Sequence, residues 1–347
     1  MSEHSAYEKM PKNSKGLTLS EKELNSLYKL KWVVTEKIHG ANFSFVYDHQ
    51  QLRYAKRKEY LQWGDDFFGF QQVVADLEGR VLSLFEQLQQ DMPAYRYILY
   101  GELFGGEYPH PDVPPDEQVQ AIQTGVYYSP TIRFCAFDIA LYPEDADSKI
   151  YLDYDTAITY FERFNIFYAK PLFIGKWNDA LNFDIHLPST IPALLHLPEI
   201  TPNVMEGVVI KPFHHSTVVL SSRPVIKHKN PAFDEEEKFH EAEKWSFIPN
   251  VHSRAEELSF LVTAISTYIT ANRLNSALSK TGRLDTNNEK RLKEIKEEFA
   301  NDVYADFNID NGNMLAELDD AQTQWIRDRI MAQVTAFIHH SLPETNK

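Results

Sequence analysis

The hydrophobic pattern of this 347-residue chain changes period once, near residue 240, and that change limits what the chain can fold into. From about 31 to 240 the apolar residues come in short runs rich in β-branched and aromatic side chains. "WVVTEKI", "ANFSFVY", "RYILYGELF", "TIRFCAFDIAL", "EGVVIKP" and "RPVIKHK" predict strands separated by turns. Beyond about 245 the spacing becomes helical. Leu258, Leu261, Val262, Ile265 and Tyr268 recur at three- and four-residue intervals in the stretch 254–282, with Gly282 as a stop. "NNEKRLKEIKEEFAND" keeps the same period. So does "DDAQTQWIRDRIMAQVTAFIHHSL", which presents Trp325, Ile326, Ile330, Val334 and Phe337. The charged stretch "DEEEKFHEAEK" supplies a boundary between 240 and 250. The expected architecture is α+β. Residues 1–245 form a domain of largely antiparallel sheets with flanking helices, and residues 246–347 form an all-helical domain. Helices are also predicted over 69–90, in "LSEKELNSLYKL" and in "YLDYDTAITYFERFNIF".

Composition narrows the class. Hydrophobic residues at 43% and charged residues at 24% are those of an ordinary globular protein. No apolar run approaches the ~18 residues of a membrane span, and "MSEHSAYEKMPKNSKG" has no apolar signal core. The expectation is a cytoplasmic chain with no membrane partner. One cysteine, Cys135, forbids an internal disulfide and reads as a buried small hydrophobe. A net charge of −15 argues against broad attraction to nucleic acid. The basic residues nevertheless cluster. "RYAKRK" carries four and no acid, and residues 207–230 carry Lys211, Arg223, Lys227 and Lys229 and no acid.

Lys37 stands at a Gly turn between two β-prone runs, in "TEKIHGANFSF". It is either a solvated surface charge or a nucleophile held against a ligand. A lysine that attacks the α-phosphorus of a nucleoside triphosphate needs Mg²⁺ on carboxylates, cations around the phosphates, an aromatic face for the base and polar groups for the sugar. Glu102, Phe134, Glu206, Lys227 and Lys229 are of the required types. Lys227 and Lys229 are two apart on a strand and share a face. Glu102 and Glu206 sit on apolar strands, where a charge needs a partner or a ligand. Two features look functional and are set aside. "GELFGG" lacks a P-loop lysine. Adjacent histidines at 214–215 and 339–340 do not face one site on a regular strand or helix, and the usual zinc spacings are absent.

Taken in order, "EKIHGANFS", "AKRKEYL", "YGELFGG", "FCAFDI", "EGVVIKP" and "VIKHKNPAF" resemble the successive nucleotidyltransferase motifs of the RNA ligase 2 family. That family includes phage RNA ligase 2 and the kinetoplastid RNA-editing ligases. "DDFFGF" and "ITANRLNSALSKTG" are similar to further family stretches. His39-Gly40 stands where DNA ligases and capping enzymes have Asp-Gly. The resemblance implies an ATP-grasp-like nucleotidyltransferase domain and an ATP-dependent RNA ligase using Mg²⁺ or Mn²⁺. It implies that Lys37 forms a lysyl-AMP, with Glu36, Ile38, His39 and Asn42 around the nucleotide. Arg57 would contact phosphate or ribose, Glu102 the ribose hydroxyls, and Phe134 would stack on adenine. Glu206 would serve the metal, and Lys227 and Lys229 the α-phosphate. Lys211, Arg223 and Arg273 would contact RNA ends. The implied partner is RNA, nicked in a duplex or joined across a template, and no protein partner is legible. The alternatives are an ATP-dependent DNA ligase or other nucleotidyltransferase, and a non-catalytic nucleotide- or RNA-binding module.

Overall fold

The computed structural model describes residues 6–17, 19–49, 51–143, 148–215, 223–235, 249, 258–282, 284 and 288–341. The chain divides into two compact units, one of residues 1–60 with 79–245 and one of residues 61–78 with 246–347. Most of the expected boundary at 240–250 lies outside the described residues, as does the start of the helical pattern at 254–257.

The first helix, α1 (Glu21–Leu27), is closed by a capping box. The Ser20 hydroxyl accepts from the Glu23 N–H, and the Glu23 carboxylate accepts from the Ser20 N–H, so two orphan donors are satisfied together. There follow β1 (Trp32–Glu36), β2 (Ala41–Tyr47), β3 (Leu52–Lys56), β4 (Tyr60–Leu61), α2 (Phe70–Asp91), β5 (Arg96–Glu107), β6 (Ser129–Tyr142), β7 (Ile150–Tyr151), α3 (Tyr154–Arg163), β8 (Pro171–Gly175), α4 (Trp177–Leu181), α5 (Ile191–Leu194), β9 (Gly207–Pro212), β10 (Ile226–Lys229) and α6 (Pro231–Glu235). The strands make two sheets, one in the order β10-β9-β1-β8 and one in the order β4-β3-β2-β5-β6-β7. The described ladders of both sheets are antiparallel, as the α+β expectation requires.

Period-2 alternation divides the smaller sheet into a core face and a cavity face. Trp32, Val34, Val208, Ile210 and Ile226 bury themselves against Trp177, Ala180 and Met205. Thr35, Val209, Lys211, Lys227 and Lys229 are the alternate residues, and they line a cavity. The register enforces this, because Val209 lies opposite both Thr35 and Lys227.

The larger sheet shows the same division with one interruption. Phe43, Phe45, Leu103 and Phe134 share the core face, and the Phe134 ring sits 5.3 Å from that of Phe45 and 6.0 Å from that of Phe43. Asn42, Glu102 and Cys135 take the opposite face. Between Gly101↔Ala136 and Tyr100↔Asp138 the register of β6 slips by one residue, leaving Phe137 extra. Such a bulge re-aims side chains. Phe137 and Asp138 consequently line the same cavity although they are neighbours in sequence.

The second unit contains α7 (Ser259–Ser266), α8 (Ala271–Thr281), α9 (Glu289–Asp310) and α10 (Asp320–His340). Leu261, Ile265, Phe299, Val303, Ile330 and Val334 form its core, on the faces the periodicity predicts. The continuous pattern before Gly282 proves to be two helices. Thr270 is extended, with φ −131° and ψ 158°, and its side chain accepts from the Arg273 N–H as the cap of α8. Within this unit Arg329 is buried near Glu78 at 3.4 Å, with its guanidinium 4.4 Å from the Trp63 ring and 3.7 Å from the Trp325 ring.

Candidate active site

One cavity of about 370 Å³ opens in the first unit. It is within the range of a small-molecule site. Glu36, Lys37, Ile38, His39, Asn42, Arg57, Glu102, Glu206, Lys211, Lys227 and Lys229 all line it. Most of the side chains singled out in the sequence thus converge, from strands of both sheets that lie far apart along the chain.

Two glycines permit this convergence. A Cβ on Gly40 would fall 2.0 Å from the Leu103 carbonyl oxygen, so the turn after Lys37 closes onto β5 only without a side chain. Gly207 has φ +151°, and a Cβ there would fall 2.3 Å from the His228 carbonyl oxygen. The strand that begins at Gly207 can therefore approach β10 closely, and the Lys37 N–H donates to the Gly207 carbonyl at 2.9 Å.

Glu206 is the electrostatic centre. Lys37 Nζ lies 2.5 Å from its Oε2, Lys229 Nζ lies 3.1 Å from its Oε1, and His39 Nδ1 is 3.4 Å from Oε2. Burial pushes the Glu206 carboxyl up, but the hydrogen bond to His39 and the charge of Lys37 outweigh it and hold the group at about 2. Lys227 is shifted down by burial and by the charges of Lys37 and Lys229. Glu102 faces the opposite balance. Burial, reinforced by Glu206, outweighs Lys37 and Arg57 and pushes it up to about 8. Glu36 lies at the end of β1, and its carboxylate accepts from the Ser189 hydroxyl at 2.6 Å and from the Thr190 N–H and hydroxyl at 2.8 Å each. Burial pushes Glu36 up against the pull of those hydrogen bonds.

Tyr7, Asp138 and Lys211, on the cavity wall, belong to a buried polar cluster around Asp138. Its carboxylate accepts from Tyr7 at 2.6 Å and pairs with Arg223 at 2.6 Å and Lys211 at 2.9 Å. Burial raises the Asp138 carboxyl, yet Arg223 and Lys211 outweigh that and hold it at about 2. Lys211 is pulled down to about 8 by burial, against the charge of Asp138. Its ammonium also sits 3.6 Å from the Tyr154 ring.

A family model described as RNA ligase matches residues 30–229, more than half of the chain. The chain belongs to the RNA ligase family. A second model, described as T4 RNA ligase 2 C-terminal, matches residues 252–336 of this RNA ligase family member. Mitochondrial RNA-editing ligase 2 of Trypanosoma brucei brucei is 31% identical over 246 residues, covering 62% of this chain and 58% of the relative. Mitochondrial RNA-editing ligase 1 of the same organism is 31% identical over 224 residues, covering 55% and 48%. The chain thus spans about half the length of the curated relatives it matches. A solved mutant RNA ligase of Naegleria gruberi with ATP and Mn is 17% identical, covers 68% of this chain and 58% of its own, and superposes with a TM-score of 0.42.

Several expected residues in this family member stand elsewhere or are otherwise engaged. Phe134 is not at the cavity. It is 3% exposed and belongs to the core face of the sheet, because simple alternation from Glu102 and Cys135 points it away. Phe137, the bulge residue, is the half-buried aromatic ring on the cavity wall. Arg223, expected at an RNA end, is committed to Asp138 and stacks 3.6 Å from the Tyr151 ring. Lys211 lines the cavity but is likewise held by Asp138 and the Phe137 carbonyl, because a buried carboxylate requires compensation. Arg273 lies on the second unit, where it donates to Asp306 at 2.7 Å and to the Tyr268 carbonyl at 3.1 Å. Sequence reasoning also missed Tyr7, Phe137 and Asp138. An acid inside the apolar run "FCAFDIAL" was the available signal for Asp138, and nothing local marked Tyr7. No described helix is long and apolar enough to cross a membrane.

Proposed function

We propose that this chain seals RNA 3′-hydroxyl and 5′-phosphate ends at the expense of ATP, with nicked duplex or templated RNA as substrate. The observation that carries the proposal is the cluster of Lys37, Lys229 and Glu206 within 3.1 Å contacts at one cavity. Membership of the RNA ligase family supports the reaction class.

Lys37 Nζ attacks the α-phosphorus of ATP. A nitrogen–phosphorus bond forms, the bond to the bridging oxygen breaks, and pyrophosphate leaves. Before attack Nζ must leave its ion pair and release a proton to solvent, and a second proton leaves with the pyrophosphate as the nitrogen–phosphorus bond forms. With His39 and Lys37 beside it the Glu206 carboxyl is held at about 2, so Glu206 is ionised in the resting site. Lys227 and Lys229, on one face of β10, place positive charge where the phosphates crowd. Phe137 offers the ring for adenine. Glu102 holds a proton up to about pH 8 and can therefore donate to, as well as accept from, a ribose hydroxyl. Glu206, an ionised oxygen ligand, suits Mg²⁺ or Mn²⁺, which when bound would supply the charge that frees Lys37 from it. The adenylyl group then passes from Lys37 to the RNA 5′-phosphate, and the 3′-hydroxyl displaces AMP. An RNA duplex would be recognised by its A-form shape and 2′-hydroxyls.

The test is to incubate wild type and Lys37→Ala with α-labelled ATP and Mg²⁺ and separate the products on a denaturing gel. Label retained by wild type, absent from the variant and discharged by nicked RNA supports the proposal. Wild type that stays unlabelled after pyrophosphate treatment to strip bound AMP overturns it. Discharge by nicked DNA in place of RNA would reassign the substrate.

A further inference from the structure

Lys37 to Gly40 carry the chain from one sheet to the other, since β1 ends at Glu36 and β2 begins at Ala41. Each end of this crossing is fixed by backbone. The Lys37 N–H donates to the Gly207 carbonyl, and Gly40 closes onto the Leu103 carbonyl. The middle is held by a side chain. The His39 N–H donates to the Tyr128 hydroxyl at 3.0 Å, across 89 residues of sequence. Tyr128 stands immediately before β6 and is 1% exposed, in a cluster with Ile38 and Cys135 and with its ring 5.5 Å from that of Phe104. Asn203 sets the backbone there. Its side-chain oxygen accepts from the Tyr127 N–H at 2.9 Å, and its amide donates to the Tyr127 carbonyl at 2.7 Å.

We propose that Tyr128 is a positioning residue for lysine adenylation, a role that rests on the ligase reading of this cavity. Its hydroxyl fixes the backbone from which Lys37 and His39 both reach Glu206. Tyr128 does not line the cavity, so it has no contact to offer a nucleotide. Nor does it take the proton of Lys37. Burial, joined by the charge of Glu36, pushes its hydroxyl well above the ordinary value, and the group stays a neutral O–H. Residue 39 lies between the described ladders of β1 and β2, where a buried N–H still requires an acceptor, and a side-chain oxygen supplies it. Without that acceptor the turn relaxes. His39 Nδ1, 3.4 Å from Glu206 Oε2, moves with the backbone, and so does Lys37. A misplacement of about 1 Å at a reacting group costs on the order of 100-fold in rate. The base and phosphate contacts from Phe137, Lys227 and Lys229 come from β6 and β10 and not from the turn. The signature of Tyr128 is therefore a loss of kcat at nearly constant KM.

The experiment measures lysine adenylation with α-labelled ATP, and backbone hydrogen exchange of the nucleotide-free chain, in wild type, Tyr128→Phe and Tyr97→Phe. Tyr97 is the control. It is fully buried, its hydroxyl likewise accepts a backbone N–H, that of Ala94 at 2.8 Å, and it does not line the cavity. Tyr128→Phe should lower the rate at saturating ATP roughly tenfold or more, keep KM within about threefold, and speed exchange in the segment 37–40. Tyr97→Phe should do neither at a comparable loss of Tm. A rate loss that Tyr97→Phe shares overturns the proposal, because it marks a general structural cost. So does a rise in KM that matches the fall in rate, or unchanged exchange at 37–40. Labelled wild type beside a fully active Tyr128→Phe overturns this role alone. Wild type that takes no label overturns the ligase reading and this role with it.

Discussion

Two phenylalanines three residues apart on one strand should fail in different ways. Phe134 is enclosed by Phe43 and Phe45, so Phe134→Ala should cost about 3–5 kcal/mol and lower Tm. Phe137 stands on the cavity wall and is only partly buried, with its ring 5.0 Å from that of Tyr7. Phe137→Ala should therefore lower Tm less than Phe134→Ala and raise the KM for ATP about tenfold. Thermal melts and steady-state adenylation on the two variants check this. Equal KM effects, or a larger one for Phe134, would remove Phe137 from the base site. The pair also shows what was legible at this scale. Glu102 and Glu206 could be read as cavity candidates because a charge on an apolar strand requires a reason, Lys37 from its place at a Gly turn, and Lys227 and Lys229 from the strand face they share. The aromatic was misplaced because both rings are apolar and only the bulge, which no local pattern announces, decides between them. Lys211 and Arg223 were legible as basic residues. Their partner Asp138 decided their placement, and it comes from a different sheet.

At the scale of elements, the site depends on how closely β9 meets β10. Gly207 carries both an unfavourable φ for any other residue and a backbone oxygen in the space of a Cβ. Gly312 has a comparable sign of φ, +64°, but a Cβ there would meet nothing within 4 Å. Gly312→Ala should therefore cost only about 1 kcal/mol. Gly207→Ala should cost about 2 kcal/mol or more and reduce lysine adenylation at least tenfold, because Glu206 and Lys229 flank the displaced backbone. Urea unfolding and label transfer measure the two effects. A folded Gly207→Ala variant with full adenylation would show that the strand spacing does not position the site. Most elements were legible from periodicity. β8 was not, since five residues beginning with proline give a weak strand signal, and the break between α7 and α8 was hidden because the apolar face continues across Thr270.

For the whole molecule, the buried carboxyls pull stability in opposite directions with pH. Asp138 and Glu206 have ordinary values of 3.8 and 4.5 and are held at about 2 in the fold. Their contribution is complete above about pH 5 and is lost as pH falls towards 2, because the unfolded chain takes up protons first. Glu102 rises from 4.5 to about 8. Between those values the folded chain keeps a proton that the unfolded chain has released, so this contribution declines as pH rises and levels off above 8. Self-repulsion from a net charge of −15 acts in the same direction on the alkaline side. Ligand-free protein should thus resist urea best near pH 5. Glu102→Gln removes the alkaline decline that belongs to one residue, and its advantage over wild type should grow from near zero at pH 4.5 to about 2 kcal/mol at pH 8, discounted for the open cavity beside it. Urea midpoints of both proteins at pH 3, 5 and 8 decide the matter. A difference that does not change with pH would mean that Glu102 keeps its ordinary value of 4.5 in the fold and is ionised at neutral pH, and would return it to a group that can only accept hydrogen bonds from ribose.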